Sequence, residues 1–266
     1  MSKNTFTIPF QLKPPGNNPV RMVQLTDCHL YADADTQLQG INTRESFDEV
    51  CRLIAALEPQ PDLLLATGDL TQDGSEQGYR YLAQAFKNLN LPTFWIPGNH
   101  DDVPTMLTSL TASNIFETRQ IIADRWQIIL LDSTLPGETP GRINAEQFDF
   151  LQLCLKQYPE KHALVSLHHQ ALPAGSEWID AKGLQNQEEL RSVLSRFKQT
   201  RAVLWGHVHQ ALESQIEDIC WMSTPSTCVQ FKPGSKDFAT DDLAPGFRIL
   251  ELGPEGEVRT RVVRCF

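Results

Sequence analysis

The 266-residue chain predicts an α/β fold with a two-sheet β-sandwich core flanked by helices, in the layer order α/β/β/α. Three observations point there. Short apolar runs read as buried strands, stretches with helical spacing lie between them, and from Ile219 onward the pattern turns to short strands and tight turns. Sheets and helices must each bury an apolar side, and helices stacked outside packed sheets satisfy that need. The length suits one sizeable domain, residues 1–266.

The expected strands are Val20 to Leu25, Asp62 to Thr67, Pro92 to Ile96, Trp126 to Leu131, Ala163 to Leu167 and Ala202 to Trp205. They are rich in Val, Ile, Leu and aromatic residues with few polar interruptions, the pattern of strands covered on both faces. A first helix places Phe47, Val50, Cys51, Ile54 and Leu57 on one side, with Asn42 and Glu45 spaced as a capping box. A second presents Phe148, Leu151, Leu155 and Tyr158, opened by Asn144 with Gln147 three residues on. A third presents Leu190, Val193, Leu194 and Phe197. In the tail, Cys220 to Ser223, Phe247 to Leu252 and Val258 to Val263 read as strands, so residues 219–266 are expected to complete the second sheet.

The formal net charge is −10, and Lys and Arg never form a basic run. Proteins that grip nucleic-acid polymers draw most of their affinity from neutralised phosphates, so this balance favours a small anionic substrate over DNA or RNA. The apolar stretch Thr5 to Leu12 is interrupted by Pro9 and followed by Lys13, Pro14 and Pro15. It falls short of the ~18 residues a membrane span requires, and no cleavage-site pattern follows it. The six cysteines (Cys28, Cys51, Cys154, Cys220, Cys228, Cys265) are scattered without any C-x-x-C pair, as expected of free thiols in a reducing cytoplasm.

Polar residues collect just beyond the expected strands, where α/β proteins hold their ligands. The segments are Asp27-Cys28-His29, Gly68-Asp69, Gly98-Asn99-His100-Asp101, His168-His169 and Gly206-His207-Val208-His209. Six of the seven histidines lie in them, and only His162 lies elsewhere. Each segment has an ordinary reading of its own: a surface turn for Asp27-x-His29, a helix-capping aspartate for Asp69, a satisfied core histidine at 168 or 169. Five such coincidences, all at strand ends, are hard to sustain together. On extended chain, alternation would aim Asp27 and His29 one way and Cys28 the other, and would aim His207 and His209 the same way.

In this order and spacing the motifs resemble the calcineurin-like metallophosphoesterase superfamily over roughly residues 20 to 210. A narrower resemblance, to bacterial class III 3′,5′-cyclic AMP phosphodiesterases, rests on Gly40-Ile41-Asn42-Thr43, Leu172-Pro173-Ala174-Gly175, the run Thr224 to Pro233, and Ala244-Pro245-Gly246. The resemblance implies that Asp27, His29, Asp69 and His209 hold one metal. Asp69 would bridge to a second, which also takes Asn99, His168 and His207. It selects His168 over His169, which the residues alone do not separate. His100 would not ligate but would meet the substrate phosphate or leaving oxygen as the catalytic side chain. Asp101 and His169 would stand behind the ligands. The substrate would lie against His29, Asp69, Asn99, His100, His168 and His209.

The implied activity is hydrolysis of 3′,5′-cyclic AMP to 5′-AMP by a metal-bound hydroxide, with two divalent ions, Fe2+ or Mn2+ foremost and Zn2+ or a mixed pair also suited to the donors. His100 would either stabilise the charge that develops or pass a proton to the departing oxygen. The implied partner is a small cyclic nucleotide. Neither a membrane nor a nucleic-acid polymer is expected, and the sequence carries no reading of oligomeric state. Rival readings are a relative acting on a glycerophosphodiester, a nucleotide-sugar pyrophosphate or a phosphoprotein, and a non-catalytic scaffold, which would not need the complete ligand set. A redox or metal-storage protein built on the scattered cysteines fits less well.

Overall fold

A computed structural model describes residues 8–13 and 19–265. The strands of its two main sheets are β1 (Phe10–Leu12), β2 (Val20–Leu25), β3 (Leu63–Thr67), β4 (Thr93–Ile96), β5 (Ile115–Phe116), β6 (Gln120–Ala123), β7 (Trp126–Leu130), β8 (His162–Ser166), β9 (Thr200–Trp205), β10 (Glu213–Ile216), β11 (Ile219–Ser223), β12 (Gly246–Leu252) and β13 (Val258–Arg264). The helices are α1 (Thr43–Ala55), α2 (Glu76–Leu89), α3 (Val103–Ser109), α4 (Ala145–Gln157), α5 (Glu177–Asp180) and α6 (Gln187–Leu194).

One sheet runs β1-β6-β7-β8-β9-β11-β10 and the other runs β13-β12-β2-β3-β4-β5. Within them β7, β8, β9 and β11 are parallel, as are β2, β3 and β4. Their carboxyl ends therefore gather at one rim of the sandwich. Three packed layers of side chains separate the four structural layers. Met22, Leu65, Phe94, Ile128, Leu204 and Leu250 pack between the sheets. Val23, Leu64, Phe47 and Phe86 join the second sheet to α1 and α2, while Val165, Val203, Leu151 and Leu190 join the first to α4 and α6. Alternate residues of each central strand thus meet a sheet on one side and a helix on the other, which is why β2, β3, β4 and β7 are buried at every position.

Each of the six expected central strands is present, with ends shifted by at most two residues. The tail departs from expectation. It does not complete one sheet, because β11 extends the first sheet beside β9 while β12 and β13 extend the second beside β2. Asn42 and Asn144 cap α1 and α4 through their side-chain oxygens. The Gln147 side chain does not close a capping box; its Oε1 accepts from the N–H of Asp132 at 3.0 Å, tying α4 to the loop after β7. Phe197 lies beyond the end of α6 but still packs against the same core. Helix α2 has no counterpart among the expected helices, although Ser75 caps it and Tyr79, Leu82, Ala83 and Phe86 form a continuous buried face. Among the described residues no helix is long and apolar enough to cross a membrane. The Thr5 to Leu12 stretch and the prolines after it lie partly outside the described residues.

Candidate metal centre

All five polar segments emerge at the shared rim: Asp27 after β2, Asp69 after β3, Asn99 after β4, His168 after β8 and His207 after β9. Buried polar contacts stitch the two sheets beneath them. Gln24 Nε2 donates to Thr67 Oγ1 at 2.7 Å and to the Trp205 carbonyl at 3.2 Å, and Thr224 Oγ1 meets Gln24 Oε1. Above, the His207 N–H reaches both oxygens of Asp27, at 3.1 and 3.0 Å. Gly68 and Gly98 allow the close approach this requires. A Cβ on Gly68, whose φ is +94°, would run into the His168 ring, and one on Gly98 would run into Asp69.

The local backbone differs from the extended chain expected. Asp27 (φ 54°), His29 (46°), Asp69 (48°), His207 (65°) and His209 (48°) all adopt left-handed conformations, five of the nine non-glycine residues with positive φ among the described residues. Such conformations cost of order 1–3 kcal/mol each and persist where surroundings impose them. Two expectations therefore change. His207 and His209 do not face one way: His209 joins Asp27 and His29, whereas His207 joins His168 and His169. Cys28 does point away, into the core beside α1 and α2, but through this turn and not through strand alternation. Burial pushes its thiol well above the usual range.

In the first group, His209 Nε2 lies 3.3 Å from Asp27 Oδ1 and 3.1 Å from His29 Nε2. His29 Nδ1 donates to Gln72 Oε1 at 2.7 Å and His209 Nδ1 to the Val229 carbonyl at 2.7 Å. With both Nδ1 atoms carrying hydrogen, the neutral rings turn two Nε2 lone pairs toward each other. A shared cation relieves that arrangement.

In the second group, His168 Nδ1 donates to the Thr67 carbonyl at 2.9 Å, leaving Nε2 toward Asp69 Oδ2 at 3.4 Å. His168 Nε2, His207 Nε2 and Asn99 Oδ1 are buried without a hydrogen-bond partner. Orphaned polar atoms carry a desolvation penalty of about 1–3 kcal/mol each, and a cation removes it. Asp69 stands between the groups: Oδ2 is 3.8 Å from His29 Nε2 as well, while Oδ1 accepts the His100 N–H at 2.9 Å. The residues present fit two cations sharing a carboxylate.

Electrostatics follow from this crowding. Burial works against charge on Asp69, yet the imidazoles of His168, His29 and His100 hold its carboxyl well below the usual carboxylate range. Asp27 is likewise lowered, burial being outweighed by His209. Burial brings His29 down to about 4 and His207 well below its ordinary value. His168 goes the other way, to about 9: burial opposes charge there, but Asp69 and Asp27 prevail.

His169 lies near His168 and His207, yet Ser133 Oγ occupies its Nδ1 at 2.8 Å and the Thr139 carbonyl its Nε2 at 3.0 Å. Asp101 accepts from the N–H groups of Leu70, Thr71 and Gly98 and from the Tyr79 hydroxyl, bracing the two turns that carry Asp69 and Asn99. The His100 ring is exposed, edge-on to the His29 ring at 5.1 Å. Sequence reasoning left the segment Thr224 to Pro233 without a role; it backs the first group. Ser226 Oγ donates to the Asp27 carbonyl at 2.7 Å, Val229 receives His209, and the Phe231 ring stacks on His209 at 3.9 Å. Gln72 was also missed. Its only sequence signal is a polar residue three places after Asp69 in a turn that otherwise carries the motif.

Comparison with known proteins points to the same family as the sequence motifs. Residues 20–211 match the family described as calcineurin-like phosphoesterase. The chain is 40% identical over 263 residues to the 3′,5′-cyclic adenosine monophosphate phosphodiesterase CpdA of Haemophilus influenzae, covering 98% of this chain and 94% of that protein. It is 41% identical over 250 residues to the CpdA of Escherichia coli K12, covering 94% and 91%. Among solved structures it resembles a dimetal phosphatase from Danio rerio, with a TM-score of 0.64 at 15% identity over 93% of this chain and 99% of that one. At that identity the likeness is one of fold.

Proposed function

The chain belongs to the calcineurin-like phosphoesterase family, and from that premise we propose that it hydrolyses 3′,5′-cyclic AMP to 5′-AMP at the rim where its two sheets meet. The observation that carries the reading is the convergence of Asp69 with two groups of buried nitrogen and oxygen donors whose outward atoms lack partners or face one another. Asp27, His29, Asp69 and His209 hold one divalent ion; Asp69, Asn99, His168 and His207 hold the other. The imidazole-rich donor set suits Fe2+ or Mn2+, with Zn2+ or a mixed pair compatible, better than Mg2+, which prefers oxygen and water. Bound ions would clamp the phosphoryl oxygens and supply an activated water.

The chain's own residues then do the rest. Carbonyl and amide acceptors on the Nδ1 atoms of His29, His168 and His209 fix which nitrogen each ring presents. The His100 backbone holds Asp69 Oδ1, so its other oxygen stays between the groups. The exposed His100 ring does not ligate; it meets the phosphoryl or departing oxygen beside His29. Oxygen from water joins phosphorus, the bond to the ribose 3′ oxygen breaks, and that oxygen leaves protonated. Six unpaired cysteines fit a cytoplasmic setting.

Identification of the product after incubation with cyclic AMP tests the substrate. Formation of 5′-AMP, with two ions per chain by elemental analysis, is expected. Cleavage of bis-p-nitrophenyl phosphate or 2′,3′-cyclic AMP with none of 3′,5′-cyclic AMP would move the substrate elsewhere in the family.

A further inference from the structure

Gln72 joins a metal-group histidine to the exposed one. Its Oε1 accepts from His29 Nδ1 at 2.7 Å, and its Nε2 lies 3.0 Å from His100 Nδ1. The backbone is pinned beside His29 as well, with the Gln72 N–H on the Leu30 carbonyl at 2.8 Å. A side-chain amide has one end that only accepts and one that only donates. Whichever way it is turned, the two imidazoles it touches must present opposite kinds of Nδ1 atom.

The choice is settled at His29. Presenting the Nε2 lone pair to a cation requires the hydrogen on Nδ1, and that hydrogen requires Oε1 opposite it. The amide nitrogen is then directed at His100, whose Nδ1 must offer a lone pair. We propose that Gln72 is a positioning residue that couples the ligating tautomer of His29 to His100, fixing His100 as the tautomer with its hydrogen on Nε2 so that this nitrogen is a hydrogen-bond donor to the substrate. The proposal rests on the reading that His29 ligates and His100 meets the substrate. It assigns the Nε2–H of His100 to charge on a phosphoryl or departing oxygen, with Nδ1 engaged by the Gln72 amide.

The test uses the full chain loaded with Zn2+, which is diamagnetic, and reads the ring nitrogens of His100 by 15N NMR. In the wild type the hydrogen is expected on Nε2. Gln72→Glu, which turns oxygen toward both rings, is expected to move it to Nδ1, and Gln72→Leu to give a mixture. Outer partners of metal-site histidines typically contribute 10–100-fold, so Gln72→Leu is expected to lower kcat by about that factor with two Zn2+ per chain retained. In a His100→Ala background the same change is expected to add little, because both act through one group. Hydrogen on Nδ1 of His100 in the wild type, or an equal loss from Gln72→Leu in both backgrounds, overturns the proposal. Full activity of His100→Ala instead removes the catalytic reading of His100 while leaving the tautomer result standing.

Discussion

The two donor groups are unequal. The first brings a carboxylate of its own, Asp27, and is enclosed by the Thr224 to Pro233 segment, with Phe231 stacked on His209. The second consists of Asn99, His168 and His207, all uncharged as ligands, and its one carboxylate donor is the shared Asp69, although the charge of Asp27 also reaches His168. Opposite charge within a few ångströms is the strongest local attraction for a cation. The first group should therefore fill first and empty last under a chelator. If so, one fold would build a retained ion and an exchangeable one around a single aspartate.

Removing the shared residue should erase the contrast. Asp69→Ala is expected to lose both ions and bring diesterase activity to background, read by elemental analysis beside the assay; a stable one-ion form with full activity would contradict the bridging role. His100→Ala tests a residue outside both groups. It is expected to lower kcat by ~10²–10⁴ with metal content intact, the scale of a lost acid–base or charge-stabilising group; a fall to about one ion per chain would make His100 a ligand.

Acidity should separate the groups further. With a folded value raised to about 9 against an ordinary 6.5, His168 takes up a proton that the second ion must displace at neutral pH, whereas His29, at about 4, is already free of one. Affinity for the second ion should rise about tenfold per pH unit between ~6.5 and 9 through His168, and His29 should add no such dependence at the first. Titration calorimetry in buffers of different ionisation enthalpy counts the released proton. In the metal-free protein the same shift contributes stability that is fully present below pH 6.5 and is lost as pH rises through about 9. The smallest effect is expected at Phe231→Leu. Loss of a ring stack worth about 0.5–1.5 kcal/mol should loosen the first ion several-fold and leave the second unchanged.

Much of this molecule was legible as letters. Apolar runs covered on both sides demanded central strands, and histidines placed just after those runs marked the rim, because strand identity depends on burial patterns that a sequence displays directly. The tail was misjudged for a different reason. Cys220 to Ser223 and Phe247 to Leu252 are both plain strands, but which sheet each joins depends on a partner far away in the chain, β9 for one and β2 for the other.

Residue type and order by themselves determined the layered α/β architecture, the family and the donor atoms available to cations. Only the tertiary structure decided how those donors divide. Left-handed turns at Asp27, His29, His207 and His209 send neighbouring imidazoles to different groups, and a carbonyl at Val229 and an amide at Gln72 select the nitrogens that face inward. Backbone oxygens carry no signature in a sequence, and those turns are held by contacts between two sheets whose meeting residues lie 180 to 200 positions apart.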